Sequence, residues 1–170
     1  MTAWSVRRRA STGDERAGER PANAKAGRAR SSEFVIDESL GYLVNRVARS
    51  MANQLAERMR PAGIGIGQWA VLLFLFARDG LSQAELSRDV AIEPPTMVRT
   101  IDRLVRDGHV TRVADPADGR VSRIYLTDRG RSLREELVPM AVAINEATLA
   151  RLTDREGKAL RRILTKLVET

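Results

Sequence analysis

The sequence predicts a mainly α-helical fold with one small β-hairpin, and three observations support this prediction. Apolar residues recur at spacings of three and four along most of the chain after position 35, which is the pattern of amphipathic helices. Two short segments rich in β-branched residues, 110–114 and 121–126, interrupt that pattern. The 170 residues are 43% hydrophobic and 30% charged, which suits one globular domain of ordinary size.

The composition excludes several classes of protein. The chain has no cysteine and one histidine, His109, so it offers no disulfide framework, thiol nucleophile or cysteine-ligated zinc site. His109 has no acid and serine clustered around it, so we interpret it as a packed residue and expect no catalytic residue, metal or cofactor. The longest apolar run, 69–77, is about half as long as a membrane-spanning helix. We therefore expect a cytoplasmic protein with no membrane partner.

The net charge of +7 is concentrated near the N-terminus. Residues 1–30 contain eight basic and three acidic residues, whereas the rest of the chain contains 21 basic and 19 acidic residues. Large apolar residues are rare in 1–32, so we predict a disordered basic tail there. Two interpretations of the tail remain open, an arm that binds DNA without sequence preference and a solvated extension.

The first helices are predicted from periodicity and caps. An apolar stripe predicts a helix over 36–60, and the uniformly apolar segment 68–77 predicts a short buried helix. Ser82 and Glu85 form a capping-box sequence, which predicts that a third helix begins there and runs to about Val90.

A second short helix follows after a tight three-residue connection. The Pro94-Pro95 pair suits the first turn of a helix over 95–107, and Gly108 suits its left-handed cap. We expect its buried face to consist of Val98, Ile101, Leu104 and Val105. The opposite face is expected to carry Thr96, Met97, Arg99, Thr100 and Arg103.

The β-hairpin and two more helices complete the predicted order. Thr127 should cap the first of these helices, in which Pro139 removes a backbone donor and should cause a kink or a break. Thr153 and Glu156 form a second capping box at the start of the last helix. We expect that helix to bury Leu160, Ile163, Leu164, Leu167 and Val168.

Two short helices joined by a three-residue turn and followed by a hairpin have the outline of a winged helix-turn-helix. Such a fold places its second helix in the major groove of DNA. Residues 95–134 contain nine basic and five acidic residues, so positive charge is concentrated on the segment that would read DNA.

Four segments together resemble the MarR family of bacterial transcription regulators, particularly its SlyA-like branch. They are LSQAEL at 81–86, EPPTMVRTIDRL at 93–104, DGR at 118–120 and YLTDRG at 125–130. The resemblance implies a MarR-type domain over 33–170. It further implies a winged helix-turn-helix over 68–127 and a helical dimerisation region formed by 36–60 and 128–169.

The resemblance also implies a DNA-binding site. Arg120 matches the wing-tip arginine that the family inserts into the minor groove, and Asp118 matches the acid that orients it, although an isolated Asp118-Gly119-Arg120 would be an ordinary turn. Arg123 is a possible phosphate partner, and Arg103 could instead pair with Asp107. The full set of expected DNA-binding residues is Ser82, Gln83, Pro95, Thr96, Met97, Arg99, Thr100, Arg103, Asp118, Arg120 and Arg123.

The implied function is that of a homodimeric, nucleoid-associated regulator, most simply a repressor, that recognises a pseudo-palindromic operator in double-stranded DNA. Members of the family often bind aromatic or phenolic carboxylates, so Tyr42, Arg46 and Trp69 are candidate effector-binding residues. Core and dimer packing is the alternative for these residues. The alternative function is an architectural protein that binds DNA without sequence preference and without an effector.

Overall fold

The computed structural model describes residues 6–7 and 34–169. The chain divides into two units, Met1–Ser50 and Met51–Thr170. In the first unit, strand β1 (Val6–Arg7) pairs in parallel with strand β2 (Phe34–Val35), and helix α1 (Leu40–Met59) begins and continues into the second unit. Apart from Val6–Arg7, the tail for which we predict disorder lies outside the described residues.

The second unit has the predicted order of helices and hairpin, with one additional strand. Its elements after α1 are α2 (Ile66–Ala77), β3 (Leu81–Ser82), α3 (Gln83–Val90), α4 (Pro94–Arg106), β4 (Val110–Ala114), β5 (Ser122–Leu126), α5 (Asp128–Leu149) and α6 (Asp154–Val168). Both predicted capping boxes form, at Ser82 and at Thr153. The mainly helical fold with a hairpin wing is confirmed.

The three strands of this unit form one antiparallel sheet in the order β3-β5-β4. Leu81 pairs with Ile124, and Val113 pairs with Arg123 across the hairpin. Strand β3 is absent from the sequence prediction because two residues are too few to show an alternating pattern. It attaches the hairpin to the start of α3.

The core of the second unit surrounds α2. Five of the twelve residues of α2 are buried, and they include Trp69, Leu72 and Leu75. Leu86 of α3 and Ile101 of α4 are fully buried against the same cluster. The helix-turn-helix is therefore held on an apolar support that orients its outer face.

Helix α5 continues through Pro139 without the break that is one of its two expected outcomes, and the kink stays a prediction. The expected burial of α6 is wrong. Helix α6 contains no buried residue, and Val168 is 82% exposed. The expected inner face of α6, including Leu160, Ile163, Leu164 and Leu167, is exposed, because no other element of the described chain covers it.

Among residues 34–169, no single helix is long and apolar enough to cross a membrane. One bent pair, Leu40–Ala62 with Ile66–Ala77, reaches the required length and apolarity only when its two segments are taken together.

The start of α5 packs closely on the turn between α4 and β4. The Thr127 hydroxyl oxygen accepts a hydrogen bond from the Gly130 N–H at 3.0 Å, and the Thr127 N–H donates to the His109 oxygen at 3.0 Å. An ideal Cβ on Gly130 would lie 1.9 Å from that same oxygen. Only a glycine therefore permits α5 to approach the turn this closely.

We expect Gly130→Ala to destabilise the protein because the added methyl group forces α5 away from the His109 carbonyl. The free energy of unfolding should fall by about 1 to 3 kcal/mol, or more where the backbone cannot shift. Urea denaturation followed by circular dichroism measures this change. Gly119→Ala is the control, since its Cβ meets no atom within 4 Å. Equal stability of the two variants would contradict the packing.

His109 is 4% exposed, and its Nδ1 has no hydrogen-bond partner among the described residues. Burial lowers the pKa of His109, the positive charge of Arg129 lowers it further, and Asp107 opposes the shift. The predicted packing role of His109 at the start of β4 agrees with this burial.

We expect the stability of the protein to fall as the pH is lowered through about 6.5, because the unfolded chain then binds a proton that the folded His109 resists. Melting temperatures between about pH 7.5 and about pH 5.5 test this, since most carboxylates stay ionised over that range. His109→Phe should melt with a smaller pH dependence. The same slope in both proteins would show that His109 does not carry the effect.

Candidate nucleic-acid interface

Helix α3 is fixed by its capping box. The Ser82 hydroxyl oxygen accepts from the Glu85 N–H at 3.2 Å, and the Glu85 carboxylate accepts from the Ser82 N–H at 2.8 Å. The bond from the Ser82 backbone is the largest cause of the lowered pKa of Glu85. Ala91, which directly follows α3, caps the helix with a left-handed φ of 55°. Helix α4 then begins at Pro94.

Helix α4 presents a polar outer face because its other side is buried. Met97, Ile101 and Leu104 are fully buried, at spacings of four and three. The opposite side exposes Pro95, Thr96, Arg99 and Arg103. Thr100 is half-buried, and its hydroxyl donates to the Thr96 carbonyl oxygen at 2.9 Å.

Two expected DNA contacts are wrong. Met97 is fully buried and Val98 is 39% exposed, the reverse of the expected arrangement. The buried stripe passes through 97, 101 and 104, whereas the expected stripe is 98, 101, 104 and 105. Ser82 is only 9% exposed, and its hydroxyl is occupied by the cap. Gln83, at the start of α3, is half-buried.

The acids of α4 and the turn after it are paired, whereas two arginines are not. Asp102 accepts from Arg112 of β4 at 2.6 Å. Asp107 binds Arg106 at 3.1 Å, which is the main cause of its lowered pKa, and also accepts from Gln68 at 3.2 Å. The alternative pairing of Arg103 with Asp107 is not observed. Within residues 34–169, Arg99 and Arg103 form no ion pair, so their charges face outward.

The tip of the hairpin is organised by two aspartates. Asp115 accepts from the N–H groups of Ala117 at 2.8 Å and Asp118 at 3.4 Å, and the first of these bonds is the main cause of its lowered pKa. Asp118 accepts from the backbone N–H of Arg120 at 3.0 Å. Asp118 therefore orients the backbone at Arg120, whose guanidinium is exposed and has no ion pair in the described part of the chain.

Arg123 binds neighbouring groups of the protein, although its side chain is 37% exposed. Its Nε donates to the Asp115 carboxylate, and its Nη1 donates to the Gly80 carbonyl oxygen at 3.0 Å. The Glu85 carboxylate lies 3.8 Å from the same Nη1. The bond to Asp115 raises the pKa of Arg123. This network gives Arg123 a structural role, and its possible phosphate contact stays a prediction.

Sequence reasoning missed three pairs that hold this surface. Asp115 and Arg123 lie almost opposite each other across the hairpin, so the strand register could have revealed them. Arg112 and Asp102 are ten positions apart on different elements. Asp79 binds Arg131 at 2.7 Å across 52 positions, and no local pattern in the sequence indicates such a contact.

The candidate effector residues occupy different surroundings. Trp69 is 7% exposed and packs near Phe76, with ring centroids 6.4 Å apart. It also lines a cavity of about 410 Å³ in the second unit, together with Met51, Leu55, Ile66, Leu73, Val138 and Asn145. Tyr42 and Arg46 lie one turn apart on α1, and Arg46 donates to the Tyr42 hydroxyl at 3.5 Å.

No group of three or more histidine, aspartate or glutamate residues within 34–169 is arranged to hold a metal ion. The exposed polar groups on the outer face of α4 and at the wing tip are suited to donate hydrogen bonds to bases and phosphates.

Comparison with known proteins gives a consistent result. A family model described as the MarR family matches residues 62–121. The HTH-type transcriptional repressor Rv2887 of Mycobacterium tuberculosis is 33% identical over 131 residues, which are 77% of this chain and 94% of that protein.

Solved structures show the same fold. A MarR transcriptional regulator from Methanosarcina mazei Go1 superposes with a TM-score of 0.73 at 29% identity, over 76% of this chain and 94% of that one. The Mycobacterium tuberculosis MarR family protein Rv2887, in complex with salicylic acid, has a TM-score of 0.63 at 33% identity, over 77% and 97% of the two chains.

Proposed function

The chain belongs to the MarR family of DNA-binding transcription regulators, and we propose that it is a homodimeric repressor of a pseudo-palindromic operator. The observation that carries this proposal is the outer face of α4, on which Arg99 and Arg103 are exposed beside Thr96. The family and its relatives are named as regulators of transcription, a class of proteins that are not enzymes.

In the proposed complex, α4 lies in the major groove. Pro95, Thr96, Arg99 and Thr100 are near its N-terminal end, where recognition helices contact base edges. Arg99 has a guanidinium suited to bidentate contact with guanine. Arg103 and Gln83 contact the flanking backbone. Because Arg112 neutralises Asp102, that acid repels the phosphates less than a free one would.

The wing supplies the second contact of each subunit. Arg120 enters the minor groove, where narrow A·T-rich sequences attract arginine. Asp118 supports it by holding the backbone of the tip. Gly119 has no side chain that could contact DNA, so the contact at the wing tip depends on Arg120.

Exposed apolar helices support the dimer. On α1, Leu40, Leu43, Val44 and Val47 are 44–68% exposed. On α6, a whole apolar face is uncovered. Contiguous apolar surface of this kind is typical of a protein interface. We propose that 36–60 and 128–169 form the dimer and that 68–127 reads DNA.

The ligand proposal is an aromatic carboxylate. Rv2887 has been crystallised with salicylic acid and with p-aminosalicylic acid. The cavity beside Trp69 falls in the usual size range for small-molecule sites. Its lining is apolar apart from Asn145, which suits the aromatic ring of such a ligand. Arg46, which donates to the Tyr42 hydroxyl, is a separate candidate for contact with an anionic group. Binding in the cavity would shift the separation of the two α4 helices.

We expect Arg99→Ala and Arg120→Ala each to weaken DNA binding by about 1 to 3 kcal/mol while the dimer persists. The probe is a duplex that the protein itself selects from a random pool, measured by gel shift, with light scattering for the oligomeric state. Arg151→Ala is the control, since Arg151 is exposed outside the proposed reading surface. Wild-type affinity in both variants, or a monomeric protein, contradicts the proposal.

Excess unrelated DNA separates the architectural alternative from the repressor. A sequence-specific regulator keeps its complex with the selected duplex at salt concentrations that remove non-specific binding. Loss of both complexes together favours the architectural protein.

We expect salicylate to bind in isothermal titration calorimetry, and salicylamide, which lacks the charge, to bind more weakly. Trp69→Ala should weaken both ligands because the ring loses its apolar contact, and Arg46→Gln measures separately whether that arginine contributes to the difference between them. Absence of heat from both compounds would contradict the ligand proposal and favour packing as the role of Trp69. The repressor proposal does not depend on that result.

A further inference from the structure

Arg123 joins three separate elements of the reading surface. Arg123 is the second residue of β5, and it binds Asp115, which directly follows β4. It also donates to Gly80 in the loop before β3 and lies near Glu85 of α3. In addition to the pairing of β3 with β5, this guanidinium links the base of the wing to the helix-turn-helix, and its planar donors suit several acceptors at once.

A continuous series of hydrogen bonds runs from this guanidinium to the wing tip. Asp115, held by Arg123, accepts from the N–H of Asp118 at 3.4 Å. Asp118 accepts from the N–H of Arg120 at 3.0 Å. A displacement of Asp115 would therefore move the turn that carries Arg120.

We propose that Arg123 and Asp115 are positioning residues that set where the wing holds Arg120 relative to α4. This inference rests on the proposed DNA-binding function. In this proposal, Arg123 makes no contact with DNA. Asp115 favours DNA binding, although its negative charge repels phosphate. These two properties separate positioning from a phosphate contact by Arg123.

Arg123→Lys tests the first property. Lysine keeps the positive charge, so a phosphate contact would largely survive. A lysine ammonium lacks the planar fork that reaches Asp115 and Gly80 together. We expect the affinity for the selected duplex to fall about tenfold, close to the loss in Arg120→Ala.

Asp115→Asn tests the second property, because electrostatics alone and positioning predict opposite changes in DNA affinity. Removal of a negative charge from the DNA-facing surface should tighten binding if only electrostatics matter. We expect weaker binding, because the neutral amide loses its charged bond to Arg123. Glu93→Gln is the matched control, since Glu93 is exposed and its side chain makes no capping bond at the start of α4. This variant should not bind more weakly than the wild type.

A double-mutant cycle distinguishes positioning from a general loss of folding. In the Arg123→Lys background, Arg120→Ala should cost less than about threefold, whereas Arg99→Ala should keep its full effect. Circular dichroism melts verify that each variant is folded. If Arg123→Lys does not fold, the same cycle on Asp115→Asn gives the result.

Three outcomes would overturn the inference. Wild-type affinity in Arg123→Lys would do so, as would equal Arg120→Ala losses in both backgrounds. Tighter binding by Asp115→Asn is the third. These three outcomes leave the proposed function intact. If Arg120→Ala alone binds DNA as well as the wild type does, the proposed wing contact is wrong, and the positioning role is wrong with it.

Discussion

The burial of one stripe of α4 is the constraint on which the reading surface depends. Met97, Ile101 and Leu104 are fully buried against the support around α2. Because a helix turns about 100° per residue, burial of these positions forces Arg99 and Arg103 to the outside. The orientation of the polar face is therefore a consequence of apolar packing, and the arginines need no partner of their own to hold it.

The wing is oriented by polar contacts instead. The network of Arg123, Asp115 and Gly80 is partly exposed, and ion pairs of this kind contribute little to stability. Their geometry is nevertheless specific, because a guanidinium donates along fixed directions. Apolar burial thus fixes the helix that would read the major groove, and directional hydrogen bonds fix the wing beside it.

Helix α6, unlike α4, is not oriented by burial of an apolar stripe. Helix α6 has a well-formed capping box but no buried residue, so local signals define the helix while nothing in the described chain covers its apolar face. A helix of fifteen residues is marginal in water without tertiary packing. The proposed dimer would supply that packing.

Local chemistry in the sequence determined the capped starts of α3, α5 and α6 and the hairpin, because each depends on residues only a few positions apart. Tertiary structure decided that Met97 rather than Val98 is buried, that Leu81–Ser82 forms a third strand, and that Arg123 binds Asp115 and Gly80. It also decided that the apolar face of α6 stays exposed in the described part of the chain. These outcomes depend on partners far away in sequence, such as Gly80 for Arg123, and periodicity alone leaves a helix face uncertain by one residue.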